Sequence, residues 1–313
     1  METRSIDVSS ALPFNPEPAA LASTVWQAAG ARPKAVLVCW PGGSYSRDYW
    51  DMHVAGFDGY SFAEHLVAKG FTVVTIDPLG VGESSRPKDV DAVTLETMAA
   101  AAAEAVRVVR KTIAGDDVPV VGVGHSLGAC LTIVEQALFA SYDAVANLGF
   151  THGAKITHTP QTSADADREA LEVAVEQAKG FFPGVWDDGY ALAPRGPNHV
   201  WLHDPDVPAE IIAEDDRRAS AWPRQSYVGA LMAGHSAAYA AQITVPVLVA
   251  FGEHDVPEHP HDDAAFYRSS PDVTLTVLPG SAHCHNFAGT RAVLWNRVAD
   301  WADWIAGTRS STA

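Results

Sequence analysis

A chain of 313 residues with ordinary shares of glycine, proline and aromatics has room for one large α/β core with an insertion, and this composition excludes a disordered or fibrous protein. Its 38 acidic residues against 21 Lys and Arg leave a net charge of −17, which repels nucleic acid and anionic membrane and argues against both as partners. No signal-peptide-like stretch opens the sequence and no apolar run reaches the roughly 20 residues needed to cross a bilayer, so a cytoplasmic protein is expected. Three scattered cysteines, Cys39, Cys130 and Cys284, have no metal-ligand spacing and read as reduced, mostly buried thiols.

Residues 1–33 carry two weak strand-like pieces around Pro13, Pro16 and Pro18, an edge hairpin or an irregular lead-in. Residues 35–39 form a β-branched run that Trp40-Pro41-Gly42-Gly43-Ser44 must end, because glycine and proline break the ladder. A helix over 61–69 then leads to a strand over 71–76, a loop Asp77-Pro78-Leu79-Gly80-Val81-Gly82-Glu83-Ser84, and an alanine-rich helix over 94–113. Asp77 is expected to tie its loop or cap a helix. Strands follow at 118–123 and 143–150, with a helix from Leu127 whose Ala129, Leu131, Ile133, Val134, Ala137 and Leu138 face the sheet.

From about 151 to 242 the pattern changes to helices near 164–179, after Pro208 and over 226–240, with a loop holding Phe181, Phe182, Trp186, Tyr190 and Trp201. Strands return at 245–251 and 273–278, and a last helix over 290–305 is expected to bury Val293, Leu294, Val298 and parts of Trp295, Trp301 and Trp304. Repeated β-α alternation with short links predicts a doubly wound, mostly parallel sheet with helices on both faces. The division expected is core over 1–150, an inserted helical cap over 151–242, and core again over 243–313.

The stretch with chemical content is Gly124-His125-Ser126-Leu127-Gly128, lying between a strand and a helix. A turn that sharp strains its central residue and brings strand and helix so close that the flanking positions tolerate little beyond hydrogen. It lifts the Ser126 hydroxyl above the sheet rim, where the first N–H groups of the helix also point. A serine hydroxyl needs a base, and the base an acid. Both should stand at carboxyl ends of later strands, where Gly252-Glu253-His254-Asp255 and Pro279-Gly280-Ser281-Ala282-His283-Cys284-His285 occur. His285 is the second candidate for base, and Glu253 and Glu258 are the alternatives to Asp255. Cys284 reads as a packed thiol and His125 as structural. The group His254, His259, His261, Asp262 and Asp263 fits no metal-ligand spacing and reads as a solvated polar loop.

The order of these segments resembles the α/β-hydrolase superfamily over residues 35–305 outside the insertion, through the Gly124–Gly128 elbow, the Asp77–Ser84 loop, and the segments ending in Asp255 and His283. The resemblance implies the α/β-hydrolase fold, with Ser126 as nucleophile, His283 as general base, Asp255 as acid, and no cofactor or metal. It places the oxyanion donors at the N–H groups of Leu127 and of Gly43, with Ser44 as second choice. Where the superfamily usually has His-Gly after its first core strand, this chain has Pro41-Gly42; the donor is a backbone N–H, so its role survives. The implied function is a serine hydrolase of the carboxylesterase kind, acting on an ester of a medium-sized, largely apolar small molecule. Carbon–carbon or lactone hydrolysis, cofactor-free haloperoxidation and acyl transfer would use the same triad, and a ligand receptor would keep the fold without turnover. The sequence leaves homo-oligomerisation open.

Overall fold

A computed structural model describes residues 1–30, 32–153, 164–181, 186, 188–232 and 234–310, with the backbone alone at 164–171, 181, 309 and 310. The sheet comprises β1 (Glu2–Asp7), β2 (Ala20–Trp26), β3 (Val36–Trp40), β4 (Thr72–Ile76), β5 (Val120–His125), β6 (Ala144–Leu148), β9 (Val247–Gly252) and β10 (Val273–Leu278). Their spatial order is β1-β2-β4-β3-β5-β6-β9-β10. β1 pairs antiparallel with β2, and β2 antiparallel with β4, while every other pairing in this sheet is parallel. The first residues are thus an edge hairpin, the first of the two expectations for that stretch.

Helices cover both faces: α1 (Phe62–Ala68), α2 (Leu95–Val109), α3 (Leu127–Phe139) and α9 (Arg291–Ser310). Side chains alternate across a strand, so Val36, Val38 and Trp40 pack with α2 and α3, whereas Leu37 and Cys39 pack with α1 and α9. Two apolar layers explain why the central strands read as continuous β-branched runs and not as alternating ones. Ser61 and Thr94 cap α1 and α2 by accepting the N–H groups of Glu64 and Thr97. α2 is shorter than expected and passes into a π turn, Arg110–Ala114.

Between β6 and β9 the chain forms α4 (Ala164–Phe181), β7 (Tyr190–Ala191), α5 (Arg195–Leu202), α6 (Ala209–Arg217), β8 (Trp222–Pro223), α7 (Arg224–Leu231) and α8 (His235–Ala240). β7 and β8 pair with each other and not with the main sheet.

Several sequence expectations need correction. The helix expected over 226–240 is two helices, α7 and α8, because Gly234 turns to φ +75° between them. The expected aromatic loop is largely regular structure: Trp201 lies in α5, Tyr190 in β7, and Phe181 ends α4. Phe182 lies outside the described residues. In α9, Leu294, Trp295, Val298 and Trp301 are buried and Trp304 is partly so, at 46% exposure, but Val293 is 56% exposed. Leu294, Val298, Trp301 and Ile305 recur at helical spacing and form the stripe, which leaves Val293 off it. Leu138 is 45% exposed because it sits in the last turn of α3, past the sheet that covers the rest of the helix.

Candidate active site

Ser126 bridges β5 and α3 with φ +52° and ψ −119°, a conformation that costs an L-residue on the order of 1–3 kcal/mol. The surroundings impose it. A Cβ on Gly124 would run into the backbone of Gly128 and Ala129, and one on Gly128 into the carbonyl groups of Trp40 and Pro41. The Ser126 N–H donates to the Leu148 carbonyl at 2.7 Å, and its own carbonyl accepts from Ala129 and Cys130 at 2.9 and 3.1 Å. Ser126 lines a cavity of about 490 Å³ together with Leu127 and His283.

His283 and Asp255 meet at 2.6 Å between Nδ1 and Oδ1, with side chains 5% and 0% exposed. A ring nitrogen against a carboxylate carries the proton, so Nδ1 donates and Nε2 keeps its lone pair. The Asp255 carboxylate takes further donors: the Val256 N–H at 2.7 Å on Oδ1, and the Gly252 N–H at 3.1 Å and His285 Nε2 at 2.7 Å on Oδ2. Burial pushes the Asp255 carboxyl up, but the His283 charge and the hydrogen bonds of both imidazoles outweigh it, holding the acid well below the usual carboxylate range. Its ionised form is the one the site is built around.

His125 is fully buried, and its Nε2 donates to the His283 carbonyl at 2.8 Å, so the elbow itself grips the backbone of the histidine it faces. Burial, then the nearby charges of His283 and His285, press the His125 pKa well below its ordinary value, which keeps the ring neutral.

The alternatives separate clearly. His285 stands behind Asp255, on its second oxygen, and is not among the cavity-lining residues. The exposed Glu253 accepts the Gly280 N–H at 3.0 Å, and Glu258 is exposed. Cys284 is buried against the Tyr45 hydroxyl at 3.0 Å, and burial pushes its thiol well up. Asp77 ties its loop by accepting the Arg47 and Glu83 N–H groups at 2.6 and 2.9 Å and by pairing with the Arg47 guanidinium. Among the described residues no group of three or more His, Cys, Asp or Glu could hold a metal ion. One member of the expected solvated loop is misread: Asp263 is 2% exposed and accepts from the Thr151 hydroxyl at 2.6 Å and the His152 N–H at 2.7 Å.

Gly43 and Ser44 also line the cavity. The Ser44 N–H is directed at the Tyr227 hydroxyl oxygen, whereas no hydrogen bond within the described residues occupies the Gly43 N–H. The far wall comes from between β6 and β9 and includes Arg195, Trp201 and Tyr227. Sequence reasoning missed Arg195 and Tyr227. Arg195 is neutralised by Asp215 at 3.5 Å, twenty positions away, and packs over the Tyr45 ring at 4.1 Å. No local motif marks such a pairing.

Against solved structures the fold is shared at low identity. An esterase from Thermogutta terrifontis matches at TM-score 0.66 and 16% identity, over 98% of this chain and 100% of that one. A lipase in its open form matches at 0.66 and 17%, over 97% and 99%. A proline iminopeptidase from Mycobacterium smegmatis matches at 0.62 and 16%, over 98% and 99%. A search of curated proteins returns no match. The sequence profile of the alpha/beta hydrolase family matches residues 37–294, most of the chain, and the protein belongs to that family.

Proposed function

We propose that this protein is a serine hydrolase that cleaves an ester through an acyl-enzyme, without a cofactor. The observation that carries the reading is the strained Ser126 on the wall of a cavity shared with His283, whose other ring nitrogen is 2.6 Å from a buried carboxylate. In this account His283 Nε2 takes the Ser126 proton as Oγ attacks the substrate carbonyl, and Asp255 holds the ring and stabilises its charge. The tetrahedral oxyanion lies between the N–H groups of Leu127, at the positive end of α3, and Gly43, each worth about 3–4 kcal/mol in the transition state. The protonated imidazole then gives its proton to the leaving alcohol, and water repeats the sequence to free the acid.

The segment between β6 and β9 serves as a cap over this chemistry. Phe150, Trp201, Leu202, Leu231 and Val256 make the cavity largely apolar, and its volume of about 490 Å³ suits a medium-sized small-molecule ester. Support also comes from the esterase and the lipase that share the fold.

Wild-type protein should be labelled by a fluorophosphonate and should hydrolyse p-nitrophenyl butyrate. Ser126→Ala should lose the label and reduce kcat by about 10⁶-fold. Ester turnover persisting in that variant would exclude the triad.

A further inference from the structure

Ser44 has φ +66° and is 1% exposed. It is the third residue of a turn that the Tyr45 N–H closes onto the Gly42 carbonyl at 3.1 Å. In a turn with positive φ at that position glycine is the expected residue, since a side chain there is strained. Two glycines precede this position, yet the strained one carries a serine.

The hydroxyl is fully used. Its Oγ accepts the Ala193 N–H at 2.7 Å and is hydrogen-bonded to the Tyr227 hydroxyl at 2.9 Å. The Ser44 carbonyl accepts from the Ser220 N–H at 3.0 Å and from Arg195 Nη2 at 2.9 Å. The next carbonyl, that of Tyr45, accepts from Trp222 Nε1 at 2.8 Å. All five donors or partners belong to the segment between β6 and β9. The turn leaves the core at β3, but its far end is anchored in the insertion.

This anchoring bears on one peptide plane. The Gly42 carbonyl points into the turn toward the Tyr45 N–H, and in a trans peptide the Gly43 N–H points the opposite way. Rotating the turn at Ser44 would swing that N–H off its direction.

We propose that Ser44 is a positioning residue: clamped by the insertion, it aims the Gly43 N–H at the oxyanion, so one half of the oxyanion hole is assembled by the cap and the other, at Leu127, by the core. This rests on the ester-hydrolase reading above. Strain at Ser44 is then the cost of a hydroxyl that glycine lacks.

The test is Ser44→Gly, with Tyr227→Phe and the double variant. Glycine relieves the strained backbone while the Ala193 N–H and the Tyr227 hydroxyl lose their partner, so the two effects offset and the melting temperature should stay within a few degrees of wild type. Loss of the two hydroxyl ties, with the three carbonyl ties kept, should lower kcat for p-nitrophenyl butyrate by about 100-fold with KM within about twofold, as expected when a donor shifts by an ångström. Tyr227→Phe should also lower kcat, and adding it to Ser44→Gly should cost nothing more, because both act through one hydroxyl. A kcat within twofold of wild type in Ser44→Gly overturns the proposal, as does a kcat loss that comes with a collapse of the melting temperature. A crystal structure of Ser44→Gly reads the same point without activity: a rotated Gly42–Gly43 peptide supports positioning, and an unchanged one overturns it. Wild-type protein with no ester turnover would instead defeat the hydrolase reading, leaving the peptide orientation to decide on Ser44.

Discussion

The two walls of the cavity are built by different means. The core wall, with Ser126, Leu127, His283 and Asp255, stands on strand ends and a helix N-terminus that backbone contacts hold in place: elbow glycines with no room for a Cβ, and a carboxylate surrounded by four donors. The opposite wall, with Arg195, Trp201 and Tyr227, stands on short helices whose long side chains reach back to the core. α5 also meets the core through its backbone, where the carbonyls of Trp201 and Leu202 accept the N–H groups of His283 and Cys284 at 3.1 and 2.8 Å. On the reading proposed above the core wall carries the reacting groups, and the other wall shapes the cavity while touching them at His283 and Ser44.

Asp255→Asn is the sharpest way to break that contrast. It preserves shape but offers His283 the wrong hydrogen-bonding partner, so kcat should fall by about 10⁴-fold while the protein stays folded. Steady-state kinetics checks this, and a loss under tenfold would mean the core wall is not the reacting one.

The next effect concerns stability under the elbow. Glu135 on α3 is buried, accepts the Tyr142 hydroxyl at 2.7 Å, and Tyr142 in turn accepts Trp40 Nε1 at 2.7 Å. Burial raises the Glu135 pKa from 4.5 to about 8, so the folded protein keeps a proton there that the unfolded chain releases. The native state binds more protons between those two values, and stability should therefore fall as pH rises through that window and level off above it. Urea unfolding from pH 5 to 9 should show the wild type losing a few kcal/mol relative to Glu135→Gln, whose amide does not titrate. Parallel curves would refute the buried neutral acid.

The smallest expected effect sharpens the role of the second wall. The Trp201 ring lies 4.9 Å from the His283 ring and is 37% exposed at the cavity wall. Trp201→Ala should raise KM for apolar esters by about tenfold and change kcat only a few-fold. A large kcat loss with unchanged KM would assign this tryptophan to the chemistry.

Legibility followed the same division. The elbow, the strands at 245–251 and 273–278, and the residues Ser126, Asp255 and His283 could be read along the chain, because each owes its place to a strand end and a local turn. Leu138 and Val293 were assigned to the core from apolarity alone, and only the packing shows them exposed. Asp263 erred the other way: its polar neighbourhood suggested solvent, while Thr151 and His152, more than a hundred positions away, bury it.

By itself the sequence determined the α/β alternation, the serine elbow and the order of the segments that end in Asp255 and His283, since these depend on hydrophobic period, glycine placement and residues within a few positions of each strand end. Only the tertiary structure decided that His285 stands behind Asp255 and not over Ser126, that Arg195 pairs with Asp215, and that Ser44 is held from across the cavity. These are contacts between segments whose nearness no local pattern encodes: the sheet's parallel crossovers bring them together, and the packing of the inserted helices selects which side chains meet.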